Sequence, residues 1–119
     1  MADPLAYYEN NAVKSRALIT AAVEAKIPHF VFSSTAAVYG TPDVPEPVLE
    51  SAPLRPESPY GFSKLMTEIM LRDSAAYPDF IYTALRYFNV AGAGPNGRTG
   101  QSTAVATHLI KVASESAQE

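Results

Sequence analysis

Apolar residues near the start of the chain recur at helical spacing. Leu5, Tyr8, Ala12, Ile19, Ala22 and Val23 fall on the period of one face of an α-helix. Asp3-Pro4 stands at the head of this pattern. Aspartate suits an N-cap, where its carboxylate accepts from a free backbone N–H. Proline suits the first helical position, where no N–H is needed. Pro28 stops the pattern, so the spacing predicts a helix from about Pro4 to Ala25. The period then changes. Phe30-Val31-Phe32 is a short unbroken apolar run that stops at Ser33-Ser34-Thr35. It lacks polar alternation and predicts a buried strand of the kind found in parallel sheets.

From Gly40 to Pro59 the chain holds Pro42, Pro45, Pro47, Pro53, Pro56 and Pro59, six of its ten prolines. Proline removes backbone donors, so this stretch reads as a loop. Ser58-Pro59 repeats the cap-plus-proline start. Phe62, Leu65, Met66, Ile69 and Met70 then form a wide helical stripe that predicts a helix over 60–76, broken by Pro78-Asp79. Phe80 to Phe88, rich in aromatic and β-branched residues, predicts a second strand. Gly92 to Gly100 reads as a glycine-rich turn, and Ser102 or Thr103 starts a last helix through about Ala113. The order is helix, strand, helix, strand, helix. Strands joined through a helix are parallel with a right-handed crossover. Two such strands are a poor sheet alone, so the pattern reads as an excerpt of an α/β, doubly wound parallel sheet.

Composition narrows the classes. The 119 residues are 47% hydrophobic and 18% charged, with net charge −3. That is a globular composition. With no basic block, neither a nucleic-acid footprint nor a polybasic membrane anchor is expected. There is no cysteine, hence no disulfide framework and no thiolate metal site. His29 and His108 are too isolated for a metal site, and none is expected. No apolar run approaches the ~18 residues of a membrane helix, and no signal pattern opens the chain. The expectation is a cytoplasmic protein.

Tyr60 and Lys64 stand four apart on the second predicted helix and share a face. A phenol is a poor base at neutral pH. An ammonium ~5 Å away at an effective dielectric of ~20 favours the phenolate by roughly 3 kcal/mol, about two pKa units. That makes a tyrosine a usable general base. On spacing alone, Lys64 reads rather as a surface lysine paired with Glu68, also four residues away. Ser33, Ser34 and Thr35 end one strand and Tyr87-Phe88-Asn89 the other, the rim where ligands gather in open α/β sheets. Read singly, each is also an ordinary loop or turn residue. Gly92-Ala93-Gly94-Pro95-Asn96-Gly97 formally matches a dinucleotide-binding loop. Pro95 removes a backbone donor and no apolar helical stripe starts within the motif, so it reads as a decoy.

Four segments in order carry a resemblance. They are Asp3-Pro4 with Tyr7-Tyr8-Glu9-Asn10-Asn11, Phe32-Ser33-Ser34-Thr35-Ala36-Ala37-Val38-Tyr39-Gly40, Ser58-Pro59-Tyr60-Gly61-Phe62-Ser63-Lys64, and Leu85-Arg86-Tyr87-Phe88-Asn89-Val90-Ala91-Gly92-Ala93. Together they resemble the extended short-chain dehydrogenase/reductases, and within that branch the UDP-glucose 4-epimerase family. The resemblance implies a partial Rossmann-like fold, with residues 1–119 the middle segment of an NAD-binding domain. The glycine-rich phosphate loop and most of the substrate domain are not among these residues. It implies a catalytic group of Thr35, Tyr60 and Lys64. It further implies contacts to NAD from Asn11, Ser33, Ser34, Tyr60, Lys64 and Tyr87. Contacts to a UDP-sugar would come from Thr35, Tyr60, Asn89 and His108. The implied reaction is epimerisation at C4 of UDP-glucose or UDP-galactose through a transient 4-keto sugar. Related sugar-nucleotide dehydratases carry Asp-Glu directly after the threonine, where this chain has Ala36-Ala37. Without a carboxyl group, general-acid help to elimination is missing.

Other readings stay open. The substrate is alternatively a UDP-pentose or UDP-glucuronate, and the 119 residues alone are alternatively a non-catalytic structural or interaction module. Without a phosphate loop they are expected neither to bind NAD stably nor to turn over. A homodimer is expected through helices 4–25 and 60–76.

Overall fold

The computed structural model describes residues 3–102 and 108–117. It divides into two units, one ending at Phe88 and the other starting at Asn89. In the first unit the N-terminal helical run comprises α1 (Pro4–Tyr8), a π-helical turn (Glu9–Val13) and α2 (Lys14–Glu24). Both anticipated caps are in place. The Asp3 carboxylate accepts from the Leu5 N–H at 2.9 Å, and the Ser58 hydroxyl accepts from the Gly61 N–H at 3.1 Å at the head of α3 (Pro59–Ser74).

Between the helices lies β1 (His29–Thr35), followed by a 3₁₀ turn (Ala36–Val38). After α3 comes β2 (Ile81–Tyr87), parallel to β1, with partners running from His29↔Ile81 to Thr35↔Tyr87. The two strands form a two-stranded sheet. The unit therefore shows the expected order of elements and the α/β class. Burial along the strands departs from the expectation of a strand covered on both faces. Exposure alternates residue by residue in β2 and through most of β1. One face packs on the helices, and the other leaves Val31 at 67% and Ile81 at 57% exposed. An apolar run states that both faces are hydrophobic, not that both are covered within the same stretch of chain.

The core is small. Ile19 and Ala22 of α2, Leu71 of α3 and Phe80 are buried together, with Phe30, Phe32, Met70 and Tyr82 packed against them. The face α3 turns inward is Gly61, Ser63, Thr67, Glu68 and Leu71, while Phe62, Met66 and Ile69 of the apolar stripe are exposed. Small and hydroxylated residues let α3 approach its neighbours closely. The Thr67 hydroxyl donates to the Asn11 carbonyl, and the Asn11 amide donates to the Ser63 hydroxyl at 3.0 Å. The first of these bonds reaches a backbone carbonyl inside the π turn, and the second joins two side chains.

In the second unit, the Gly94 N–H donates to the Thr99 carbonyl at 2.8 Å and the Gly97 N–H to the Gly94 carbonyl at 3.0 Å. No helix starts in this glycine-rich segment. The last helix, α4 (Leu109–Ser116), starts later than Ser102, and His108 is its N-cap residue. The alternative start at Thr103 lies outside the described residues.

Candidate active site

Three contacts set the relation between α3 and the end of β1. First, the Lys64 ammonium donates to the Ser33 carbonyl at 2.9 Å and stands 5.0 Å from the centre of the Phe32 ring. Burial against these groups holds the Lys64 pKa below its ordinary value, because desolvation disfavours the charged form. Second, Gly61 brings the first turn of α3 onto the 3₁₀ turn. A Cβ there would stand 2.8 Å from the Ala37 carbonyl oxygen and 2.9 Å from the Pro56 Cβ. Third, Gly40 has φ +71, and a side chain would strike the Arg55 carbonyl. This fixes the path of the loop that leaves the 3₁₀ turn and returns to Ser58.

Tyr60 therefore starts a helix whose next turn, at Lys64, is pinned to Ser33, and whose Gly61 lies against the residues just after Thr35. The Tyr60 ring meets Tyr7 edge-on, centroids 5.9 Å apart. Its hydroxyl hydrogen-bonds no other described residue. Thr35 is buried, and its hydroxyl accepts from the Ala37 N–H at 3.2 Å. An accepting hydroxyl keeps its own proton for another partner. The sheet register puts Thr35 directly beside Tyr87, so the ends of β1 and β2 share one rim. Ser33 is exposed at this rim. Ser34 is buried, and its hydroxyl donates to a Glu68 carboxylate oxygen.

The pairing of Lys64 with Glu68 is not formed. Glu68, 7% exposed, is held by Arg86 of β2. The Arg86 Nη2 lies 2.7 Å from Oε2, and Nε lies 3.2 Å from both carboxylate oxygens. Arg86 also donates to the Tyr39 hydroxyl at 2.8 Å and lies over the Tyr39 ring. Hydrogen bonding to Glu68 raises the Arg86 pKa above its already high value. A cleft of about 550 Å³ lies over this pair, lined in part by Leu65, Ile69, Tyr82 and Phe88. Thr35, Tyr60 and Lys64 do not line it. Sequence spacing alone offered Glu68 only as a partner of Lys64 and missed Arg86 and Tyr39. Asn89 and His108 belong to the second unit, where the His108 Nδ1 lies 3.2 Å from the Gln101 Nε2.

A parallel strand pair whose rim carries hydroxyls, faced by a helix with tyrosine and lysine one turn apart, is a Rossmann-like α/β segment. Residues 1–119 match the NAD dependent epimerase/dehydratase family, and the chain belongs to it. It is 60% identical over 110 residues to the UDP-glucose 4-epimerase of Azospirillum brasilense, covering 92% of this chain and 31% of that one. Among solved structures, the UDP-Glc/GlcNAc 4-epimerase of Campylobacter jejuni is 51% identical with a TM-score of 0.76, covering 99% of this chain and 36% of that one. The Brucella ovis UDP-glucose 4-epimerase in complex with NAD is 40% identical with a TM-score of 0.81, covering 93% and 34%. The chain thus spans about a third of the length of these relatives. Among the described residues, no helix is long and apolar enough to cross a membrane and no cluster of groups suits a metal ion.

Proposed function

We propose that this segment supplies the proton-transfer group of an NAD-dependent UDP-sugar 4-epimerase. Tyr60 is the base, Lys64 the cation that favours its phenolate, and Thr35 the hydroxyl that orients the sugar oxygen. The observation that supports this most is the position of Lys64. It is bonded to the Ser33 carbonyl rather than neutralised by Glu68. Of its three donors one is used there, and two remain for ribose hydroxyls and the field at Tyr60.

The rim suits NAD in part. Ser33 and Tyr87 are exposed there. The Ser34 hydroxyl is committed to Glu68 and the Asn11 amide to Ser63, so each would offer the cofactor its remaining acceptor or backbone groups. When bound, NAD supplies the acceptor for the C4 hydride and later returns it. Tyr60 takes the proton of the 4-hydroxyl and gives it back after the keto sugar has turned over. Thr35 donates to the same oxygen and keeps it within reach. Ala36 and Ala37 carry no acid that could expel a neighbouring hydroxyl, so the keto sugar is reduced again.

UDP-glucose and UDP-galactose are the proposed substrates, with Asn89 holding the nucleotide sugar and His108 near its diphosphate. The name of the Campylobacter jejuni relative makes the N-acetylated sugar the comparison to run beside them. A homodimer is proposed through the helical run 4–24 and α3. Leu18, Phe62, Met66 and Ile69 on these elements are exposed, and burying them is favourable. In the full-length enzyme, Tyr60→Phe is expected to lower turnover about 10²–10⁴-fold while NAD still co-purifies. Unchanged turnover refutes the assignment. A monomer at high concentration in sedimentation refutes the dimer.

A further inference from the structure

Lys64 stands midway between two groups that can take its charge. Tyr60 lies one turn toward the N-terminus of α3, and Glu68 lies one turn toward the C-terminus. Positions four apart on a helix are neighbours, and an ion pair between them forms readily on an open surface. In this structure it does not form. Arg86 reaches across from β2 and makes three contacts of 3.2 Å or less with the Glu68 carboxylate, and Ser34 makes another. The Lys64 ammonium is instead on the Ser33 carbonyl.

We propose that Arg86 is a positioning residue that keeps Glu68 away from Lys64, so that the ammonium stays available to Tyr60. The inference rests on the proposed role of Tyr60 as base, and it adds a residue that touches neither sugar nor cofactor. Helical side chains lean toward the N-terminus, which inclines Lys64 toward Tyr60. A carboxylate ahead of a lysine is the better order for an i,i+4 pair, and here the carboxylate follows. Both tendencies are weak, and a released Glu68 would override them. The surroundings offer no substitute. The N-terminal run presents the Tyr7 ring to Tyr60, and its Lys14 is held by the Asn10 side chain at 2.6 Å while Glu9 is exposed. The 3₁₀ turn has no titratable group, β1 presents a carbonyl and the Phe32 ring, and β2 presents Arg86 itself.

Arg86→Gln in the full-length enzyme frees Glu68 to pair with Lys64. The ammonium's field at Tyr60 then falls, and the phenolate forms only at higher pH. The acidic limb of the pH–rate profile is expected to move up by about one unit, a roughly tenfold loss of rate on that limb. The double variant Glu68→Gln/Arg86→Gln removes the competitor and is expected to return the limb to its original position. A purely structural role would lower thermal stability in both variants without moving the limb in one and restoring it in the other.

A second readout needs no turnover. The ultraviolet difference titration between each protein and its Tyr60→Phe version, without cofactor, isolates the Tyr60 phenol and should show the same shift and the same return. Turnover surviving Tyr60→Phe would sink the base assignment, while this titration would still test the charge competition. If Arg86→Gln does not fold, Arg86→Lys replaces it. A single ammonium holds Glu68 by fewer contacts, so a smaller upward shift supports the inference. An unmoved phenol titration in the folded variant overturns it.

Discussion

Replacing Gly61 by alanine tests the docking of α3 on the turn after Thr35. The new Cβ would lie 2.8 Å from the Ala37 carbonyl oxygen and 2.9 Å from the Pro56 Cβ. Neither obstacle is the free end of a flexible side chain, so helix and turn must separate by about half an ångström to reach ordinary contact. Overpacking of this kind costs about 1–3 kcal/mol. Against it, alanine is favoured over glycine within a helix by up to about 1 kcal/mol. The two nearly offset at the low end, and a net loss of about 0–2 kcal/mol is expected from thermal unfolding. Turnover should suffer as well as stability. Displacing a reacting group by about 1 Å costs on the order of 10²-fold, and half that displacement between Tyr60 and Thr35 should cost about tenfold in kcat. The control is Gly100→Ala, where the nearest atom would be the Ala93 Cβ at 3.7 Å. Steady-state kinetics of the two full-length variants decide the matter. Gly61→Ala with the turnover and melting temperature of the parent would show that the close approach does not set the catalytic geometry.

Leu71 is fully buried at the centre of the core, and Leu71→Ala should destabilise by about 2–5 kcal/mol in urea unfolding. Thr67→Val keeps the shape but removes the donor to the Asn11 carbonyl. A loss of about 1–3 kcal/mol is expected, with faster amide exchange confined to the N-terminal run. Ser58→Ala removes the cap on the Gly61 N–H and should cost about 0.5–2 kcal/mol by the same unfolding assay, while Ser58→Gly costs only a few tenths.

The features legible in the sequence are those whose causes are local. Asp3-Pro4 and Ser58-Pro59 announced their helices because a cap and a proline act within one turn. The rim residues were legible because parallel strands joined by a helix must end on the same side, and Thr35 does face Tyr87. The true partner of Glu68 was not legible, because spacing shows only Lys64 at four residues' distance, whereas Arg86 arrives from another element 18 residues on. The π turn was not foreseen, since its wide winding is tied to Thr67, 56 residues from Asn11. The apolar stripe of α3 was seen but not its orientation. The buried face is the small, hydroxylated one, and hydrophobicity alone does not reveal how closely two backbones will approach. The last helix is described from Leu109 and does not include Ser102, because several residue types there serve as a start and the sequence does not choose between them.

The π turn at Glu9–Val13 makes the first helical run a gear rather than a rod. Such a turn is ordinary winding that has absorbed one extra residue. Deleting one residue there would regularise the spiral and leave both flanks in place, whereas deleting one from the ordinary winding of α2 would rotate everything upstream by about 100°, swinging Tyr7 off the Tyr60 ring. Length in α2 is therefore aim, and a deletion there that spared every motif residue would still misdirect the aromatic wall beside Tyr60, while the π turn is the one place that can lose a residue without doing so.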